Sequence, residues 1–233
     1  MPVITVSGTL GSGAREVAQA VAEKLGLGYV DHEILVEAAQ QLGVSVAAVE
    51  SRDERPSTMG ERLAGVMRAL MERSAAAGAA DPLAGGGLEM VLARTYGEAA
   101  ALPETGTLTD ESYLKTLTSV IRELAARGDV VILGRGSQAI LQDDPDTLHV
   151  WVAAPKAQRI ANLVEREGMT PDAAEKRIKE SDANRQAFHR RYFKVDVDDA
   201  RLYDLVINAR RISTPLAVKL IALAVNERTP LPG

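Results

Sequence analysis

Four short β-rich runs, at 3–6, 130–133, 148–152 and 205–207, are apolar almost throughout and do not alternate with polar positions. Strands covered by helices on both faces read this way, because neither face meets water. A weaker run at 28–30 ends at Asp31. Between the runs the period becomes helical. In residues 15–25, Val17, Ala18, Val21, Ala22 and Leu25 fall on one stripe. Residues 113–126 repeat the pattern with Leu114, Leu117, Ile121 and Leu124, and Gly128 supplies the stop. Residues 171–188 form a strongly charged helical pattern and 215–225 an apolar one. Strand and helix alternate, which predicts an α/β core of three layers. Residues 46–110 break the rhythm. They hold an Ala- and Gly-rich stretch between helix-compatible pieces and read as an inserted helical lobe with a mobile segment near 75–87. A disordered loop is the alternative.

Composition narrows the class. The chain has 233 residues, enough for one large domain with an inserted lobe. Aromatic residues are only 3%, so the core is built from Ala, Val, Leu and Ile. The net charge of −5 argues against a general nucleic-acid binder. With no cysteine, thiol nucleophiles, disulfides and thiolate metal sites are excluded. No stretch has the roughly 18–20 apolar residues that cross a bilayer, and no secretory signal is apparent. The expected location is the cytoplasm, without a membrane partner. Oligomeric state is not legible, and no residue is assigned as a metal ligand.

The chemistry begins at "VSGTLGSGAREVA", residues 6–18. A strand stops at Gly8, glycines recur at Gly11 and Gly13, and an amphipathic helix follows. The G-x-x-x-x-G-K-[ST] phosphate loop fits up to Gly13, where Lys and Ser/Thr give way to Ala14 and Arg15. Glycines let backbone amides approach an anion, and a helix N-terminus adds unpaired N–H groups and a favourable dipole. Gly8, Gly11, Ser12, Gly13, Ala14 and Arg15 are therefore the expected phosphate-binding residues. Arg15 is the nearest cation to stand in for the lysine. A tight turn with Arg15 in solvent is the alternative. Asp31 ends the second strand, where open parallel sheets line their ligand crevice; it is a candidate for hydrogen bonding to the acceptor substrate or to metal-bound water, or a helix cap. In "VVILGRGSQAIL", Arg135 follows a central strand and is expected to bind phosphate or carboxylate. At 177–196, Arg177, Asp182 and Arg185 lie near one face of a charged helix. That helix is either a solvated face or an arginine-bearing lid. Asp204 and residues 208–211 flank the fifth strand, as caps or as a resting place for a nucleobase.

In their order, "GSGAREVAQAVAEKLGLGYVDHEIL", "VVILGRGSQAIL", "AAPKAQRI", "SDANRQAFHRRYF" and "LYDLVINARRIS" resemble the cytidylate kinase-like family of nucleoside monophosphate kinase folds. The resemblance implies a P-loop kinase fold: five parallel strands, an acceptor-binding insertion at 46–110 and a lid at 155–195 within a single domain. It implies ATP with Mg²⁺ as donor and a nucleoside monophosphate such as CMP or dCMP as acceptor. On that reading residues 8–15 hold the donor phosphates and Arg135 the acceptor phosphate. Arg177 and Arg185 belong to the lid, and Arg15, Arg135, Arg177 and Arg185 make up the catalytic set. Family kinases that act on CMP carry Gly-Arg-Asp where this chain has Gly134-Arg135-Gly136. A nucleotide-binding module with little turnover and a P-loop kinase for a non-nucleotide small molecule are the alternatives.

Overall fold

A computed structural model describes residues 1–31, 33–42, 46–50, 52–53 and 109–227. Its elements are β1 (Val3–Gly8), α1 (Ala14–Leu25), β2 (Gly28–Val30), α2 (Glu33–Leu42), α3 (Val46–Glu50), α4 (Asp110–Arg127), β3 (Val130–Leu133) and α5 (Ser137–Ile140). They continue with β4 (Thr147–Ala153), α6 (Lys156–Glu167), α7 (Pro171–Tyr192), a 3₁₀ turn at Ala200–Leu202, β5 (Leu205–Asn208) and α8 (Thr214–Glu227). The chain divides into two compact units, Met1–Asp31 with Thr118–Gly233, and His32–Leu117.

In the first unit the strands form one all-parallel sheet in the order β2-β3-β1-β4-β5. This is the α/β architecture predicted from the continuous apolar runs. Alternate side chains of a strand point to opposite faces, and the two faces differ in chemistry. Ile4, Val6, Val131, Leu133, Leu148, Val150, Val152 and Ile207 meet Val17, Ala18 and Val21 of α1 and Ala217, Val218 and Ile221 of α8 in one apolar cluster. Each fully buried aliphatic side chain there contributes about 1.5–3 kcal/mol. On the opposite face Thr5, Ser7, Thr147 and His149 are buried polar groups. Thr5 Oγ1 lies 2.7 Å from His149 Nδ1. Ser7 reaches α5 and, through it, α7.

Local signals explain the helix ends. Gly26, in the left-handed region, caps α1, with its backbone N–H turned back onto Ala22 and Glu23 carbonyls. The Thr170 hydroxyl accepts from the Ala173 amide at 3.3 Å and Pro171 opens α7. The second unit contributes α2 and α3, with Ile34, Ala38, Ala39 and Val49 buried. It also holds the start of α4, where Arg52 Nε donates to Asp110 Oδ1 at 3.4 Å. Most of 46–110, including the stretch expected to be mobile at 75–87, lies outside the described residues.

Candidate active site

The glycine-rich loop runs from the end of β1 into α1. The Ser12 amide donates to the Thr9 carbonyl at 3.0 Å, closing a turn. Gly13, at φ 89°, stands before α1, and no side chain caps the helix. The loop's first-turn amides are thus presented at the carboxyl end of the central strand, the arrangement that binds anions. Gly11 sits at φ 78°, and a Cβ there would lie 2.7 Å from the Arg159 carbonyl oxygen. Only glycine fits. The Ser12 Oγ is buried within the loop and has no hydrogen-bond partner. Ala14 is buried, its Cβ lying over Gly8.

The loop is braced by α6. Arg159 Nε donates to the Leu10 carbonyl at 2.7 Å, while its Nη1 and Nη2 hold Asp182 of α7 bidentately at 2.9 and 2.6 Å. Asn162 Nδ2 donates to the Gly11 carbonyl at 2.8 Å. Arg166 pairs with Glu16 on α1. Leu10 also joins Leu163, Ala174 and Ile178 in a small apolar cluster. The two helices that fill the span expected for a lid therefore rest directly on the loop. Arg159 and Asn162 were not among the expected site residues. The signal was present: Arg159 lies four residues before buried Leu163, on the inward stripe of α6.

The ends of β2 and β3 hold the second half of the site. These strands are paired, with Val30 opposite Ile132, so Asp31 and Arg135 emerge side by side. Gly134, Arg135 and Gly136 are three consecutive residues at φ 69°, 61° and 71°. A left-handed arginine carries about 1–2 kcal/mol of backbone strain, which marks the turn as specialised. The turn is tied to β1 by the Gly134 amide, which donates to the Val6 carbonyl at 2.9 Å. Arg135 Nη2 donates to Asp31 Oδ1 at 3.1 Å. The other carboxylate oxygen, Oδ2, accepts from Arg15 Nη2 at 2.8 Å. Asp31 and Arg135 are almost wholly buried, whereas the Arg15 side chain is 38% exposed. Arg15, Asp31 and Arg135, expected from three separate motifs, thus form one ionic triad. Arg15 is directed to the end of β2 rather than back over the glycine loop.

Arg177 and Arg185 are not brought to this triad. Arg177 pairs with Glu167 at the corner between α6 and α7, with Met169 Sδ 3.6 Å away. Arg185 is buried. Its Nη1 donates to Asp198 Oδ1 at 2.8 Å, its Nη2 to the Val197 carbonyl at 3.5 Å and to the Tyr203 hydroxyl at 3.4 Å. The guanidinium lies 6.0 Å from the Trp151 ring centre. Asp182, expected on the same face, is instead held by Arg159. Asp204 accepts from the His149 amide at 2.7 Å and so secures β4. Asn208 Oδ1 accepts from the Arg210 amide, a turn within the segment after β5.

A buried polar relay passes beneath the site. Ser7 Oγ donates to Gln138 Oε1 at 3.1 Å. Gln138 Nε2 lies 2.8 Å from His189 Nε2, and His189 Nδ1 lies 2.8 Å from the Arg185 carbonyl oxygen. A carbonyl only accepts, so Nδ1 carries the proton and Nε2 accepts from the Gln138 amide. Beside the relay the Phe193 ring covers Gly136. A Cβ on Gly136 would lie 2.4 Å from Phe193 Cε2 and 3.3 Å from Phe188 Cε1. An aspartate after Arg135 is therefore incompatible with this aromatic cover. Two carboxylates with lowered pKa lie apart from the triad: Glu175, hydrogen-bonded to Lys156, and Asp199, held at about 2 chiefly by its hydrogen bond to the Arg201 side chain.

A sequence profile of the cytidylate kinase-like family matches residues 3–211. The chain belongs to the cytidylate kinase-like family. Named relatives include the cytidylate kinase of Methanopyrus kandleri, 29% identical over 113 residues, which are 45% of this chain and 58% of that one. The cytidylate kinases of Natronomonas pharaonis and Methanocaldococcus jannaschii are 24% and 29% identical, over 52% and 45% of this chain and 63% and 60% of theirs. The matches thus span less than two thirds of these relatives' lengths. Among solved structures, an uncharacterized protein from Eubacterium ventriosum aligns with a TM-score of 0.63 at 19% identity, covering 98% of this chain and 100% of that one. That likeness concerns the fold. No helix among the described residues is long and apolar enough to cross a membrane.

Proposed function

We propose that this protein transfers the γ-phosphoryl group of ATP to a nucleoside monophosphate, with CMP and dCMP the first acceptors to test. The observation that carries the reading is spatial. An uncapped helix N-terminus behind a glycine loop follows β1, and a buried arginine under backbone strain stands beside it in the turn after β3. Phosphoryl transfer requires two anions positioned in line and their charge neutralised, and little covalent chemistry from the protein. The loop amides would hold the donor phosphates, and Arg135 would meet the acceptor phosphate. Arg177 and Arg185 would act only after leaving the partners that hold them in this structure.

Mg²⁺ fits this site only as a companion of the nucleotide. The loop position that would offer it a hydroxyl holds Arg15, a donor-only cation, and Asp31 is engaged by two arginines. Phosphate oxygens and water would supply its ligands, the usual way Mg²⁺ accompanies nucleotides.

A coupled assay with ATP, Mg²⁺ and a panel of nucleoside monophosphates tests the reading. Turnover with a cytidine monophosphate supports it. Saturable nucleotide binding without turnover on any monophosphate would favour the second reading, a nucleotide-binding module. Ala14, buried where a lysine would reach the phosphates, is the observation behind that alternative.

A further inference from the structure

We infer that the outward face of α8 joins two copies of this chain as an antiparallel, two-fold pair of helices. Five large apolar side chains are exposed among the described residues. Three of them, Leu216, Leu220 and Leu223, are on α8, at 43%, 39% and 56% exposure. Their spacing gathers them into one stripe of the helix. The opposite stripe, Ala217, Val218 and Ile221, packs on the sheet and α1. Between Pro215 and Asn226 the sequence holds a single charged residue, Lys219. A helix apolar on both sides is one that is covered on both sides.

The ends of the helix decide the partner. Glu227 closes α8 four residues after Leu223, on the stripe of the three leucines. A carboxylate in the last turn meets the negative end of its own helix dipole, which disfavours it. Arg210 and Arg211 stand exposed just before α8 begins at Thr214. In an antiparallel pair with its two-fold axis beside Leu220, Leu216 of one copy meets Leu223 of the other, and the two Leu220 side chains meet at the axis. The same register brings each Glu227 to the start of the other α8, where the dipole is positive and Arg210 and Arg211 lie. The face is therefore complementary to itself in apolar content and in charge, as an isologous interface requires. Lys219 borders the stripe, its alkyl stem placed to cover leucine surface while the ammonium stays in water.

Sedimentation velocity on the full chain, over a range of protein concentrations, tests the pairing. Wild type should be a dimer that dissociates on dilution. Leu220→Asp should weaken it about a hundredfold or more, since two carboxylates replace two leucines at the axis. The position is exposed, and circular dichroism checks that the fold is unchanged. The double variant Arg210→Glu, Arg211→Glu and the single variant Glu227→Arg should each weaken the homodimer, because like charges then meet at both ends. Mixed in equal amounts, these two proteins should form a heterodimer in which opposite charges meet again. The chain has no cysteine, so Leu220→Cys carries a single thiol, and mild oxidation should link two copies. Glu165→Cys, exposed on α6, should not link. A monomeric wild type, a dimer indifferent to Leu220→Asp, charge variants that do not pair when mixed, or a Leu220→Cys chain that links no better than Glu165→Cys overturns the inference. So does a monomer that floats with anionic vesicles through the same leucines, which would assign the stripe to a membrane surface.

Discussion

Replacing Gly136 by alanine should destabilise the protein through two separable effects. The backbone there is at φ 71°, a region that costs a residue with a Cβ about 1–2 kcal/mol. The new methyl would also lie 2.4 and 2.7 Å from two Phe193 ring carbons and 3.3 Å from Phe188. Forcing an extra carbon into such a contact costs about 1–3 kcal/mol. The sum is about 2–5 kcal/mol, or a fall in Tm of about 4–20 °C for a chain of this size. Differential scanning calorimetry of wild type, Gly136→Ala, Phe193→Ala and the double variant reads both parts. Removing the ring should restore the steric share, giving a coupling of about 1–3 kcal/mol, and leave the backbone share. A Gly136→Ala protein as stable as wild type would refute the reasoning. Full recovery in the double variant would show that the left-handed backbone carries no cost.

Four further outcomes can be checked. Ala14→Lys should tighten ATP binding by about one to two decades, the worth of a charge-assisted contact to phosphate; an unchanged Kd by calorimetry would count against a donor site over the loop. Arg159→Ala removes the groups that hold the Leu10 carbonyl and Asp182, and ATP affinity should fall about tenfold, about 1.4 kcal/mol, in the same experiment. Gln138→Leu removes the partner shared by Ser7 and His189 and should cost about 1–3 kcal/mol for each group, read from urea unfolding. The Asp199 carboxyl should titrate near 2 rather than at its ordinary 3.8; its stabilising contribution is present above 3.8 and is lost as pH falls through 2, and Arg201→Ala should return the NMR midpoint toward the ordinary value.

The strands were legible because burial on both faces writes itself as an unbroken apolar run. Val130–Leu133 and Gly28–Val30 lie where the pattern put them, and β1, β4 and β5 extend it by a residue or two. The loop was legible from its glycines. Asp31 and Arg135 were legible as strand-end residues, since a parallel sheet gathers its carboxyl ends on one edge. The hold of Asp31 on both Arg15 and Arg135 was not, because side-chain direction on the first turn of a helix depends on what the neighbouring strand end offers. The braces from Arg159 and Asn162 join positions about 150 apart in sequence, and no local pattern encodes such a meeting. Arg177 and Arg185 read alike on a helical wheel, but their surroundings differ, one a surface corner and the other a buried pocket beneath Tyr203.

The unlike faces of the sheet bear on how this sequence can change over generations. On the side of α1 and α8, aliphatic side chains can exchange for others of similar volume at a cost often below about 1.5 kcal/mol. On the other side Thr5, Ser7, Gln138, His149 and His189 are joined through particular donors and acceptors, and a change in one leaves its neighbour unmatched. Neighbouring residues of a single strand, such as Val6 and Ser7, therefore live under different rules. Saturation mutagenesis should resolve residues 4–7 of β1 into an alternating record of tolerant and intolerant sites, while the aliphatic members of the polar face, Val3, Val130 and Ile132, follow the tolerant rule.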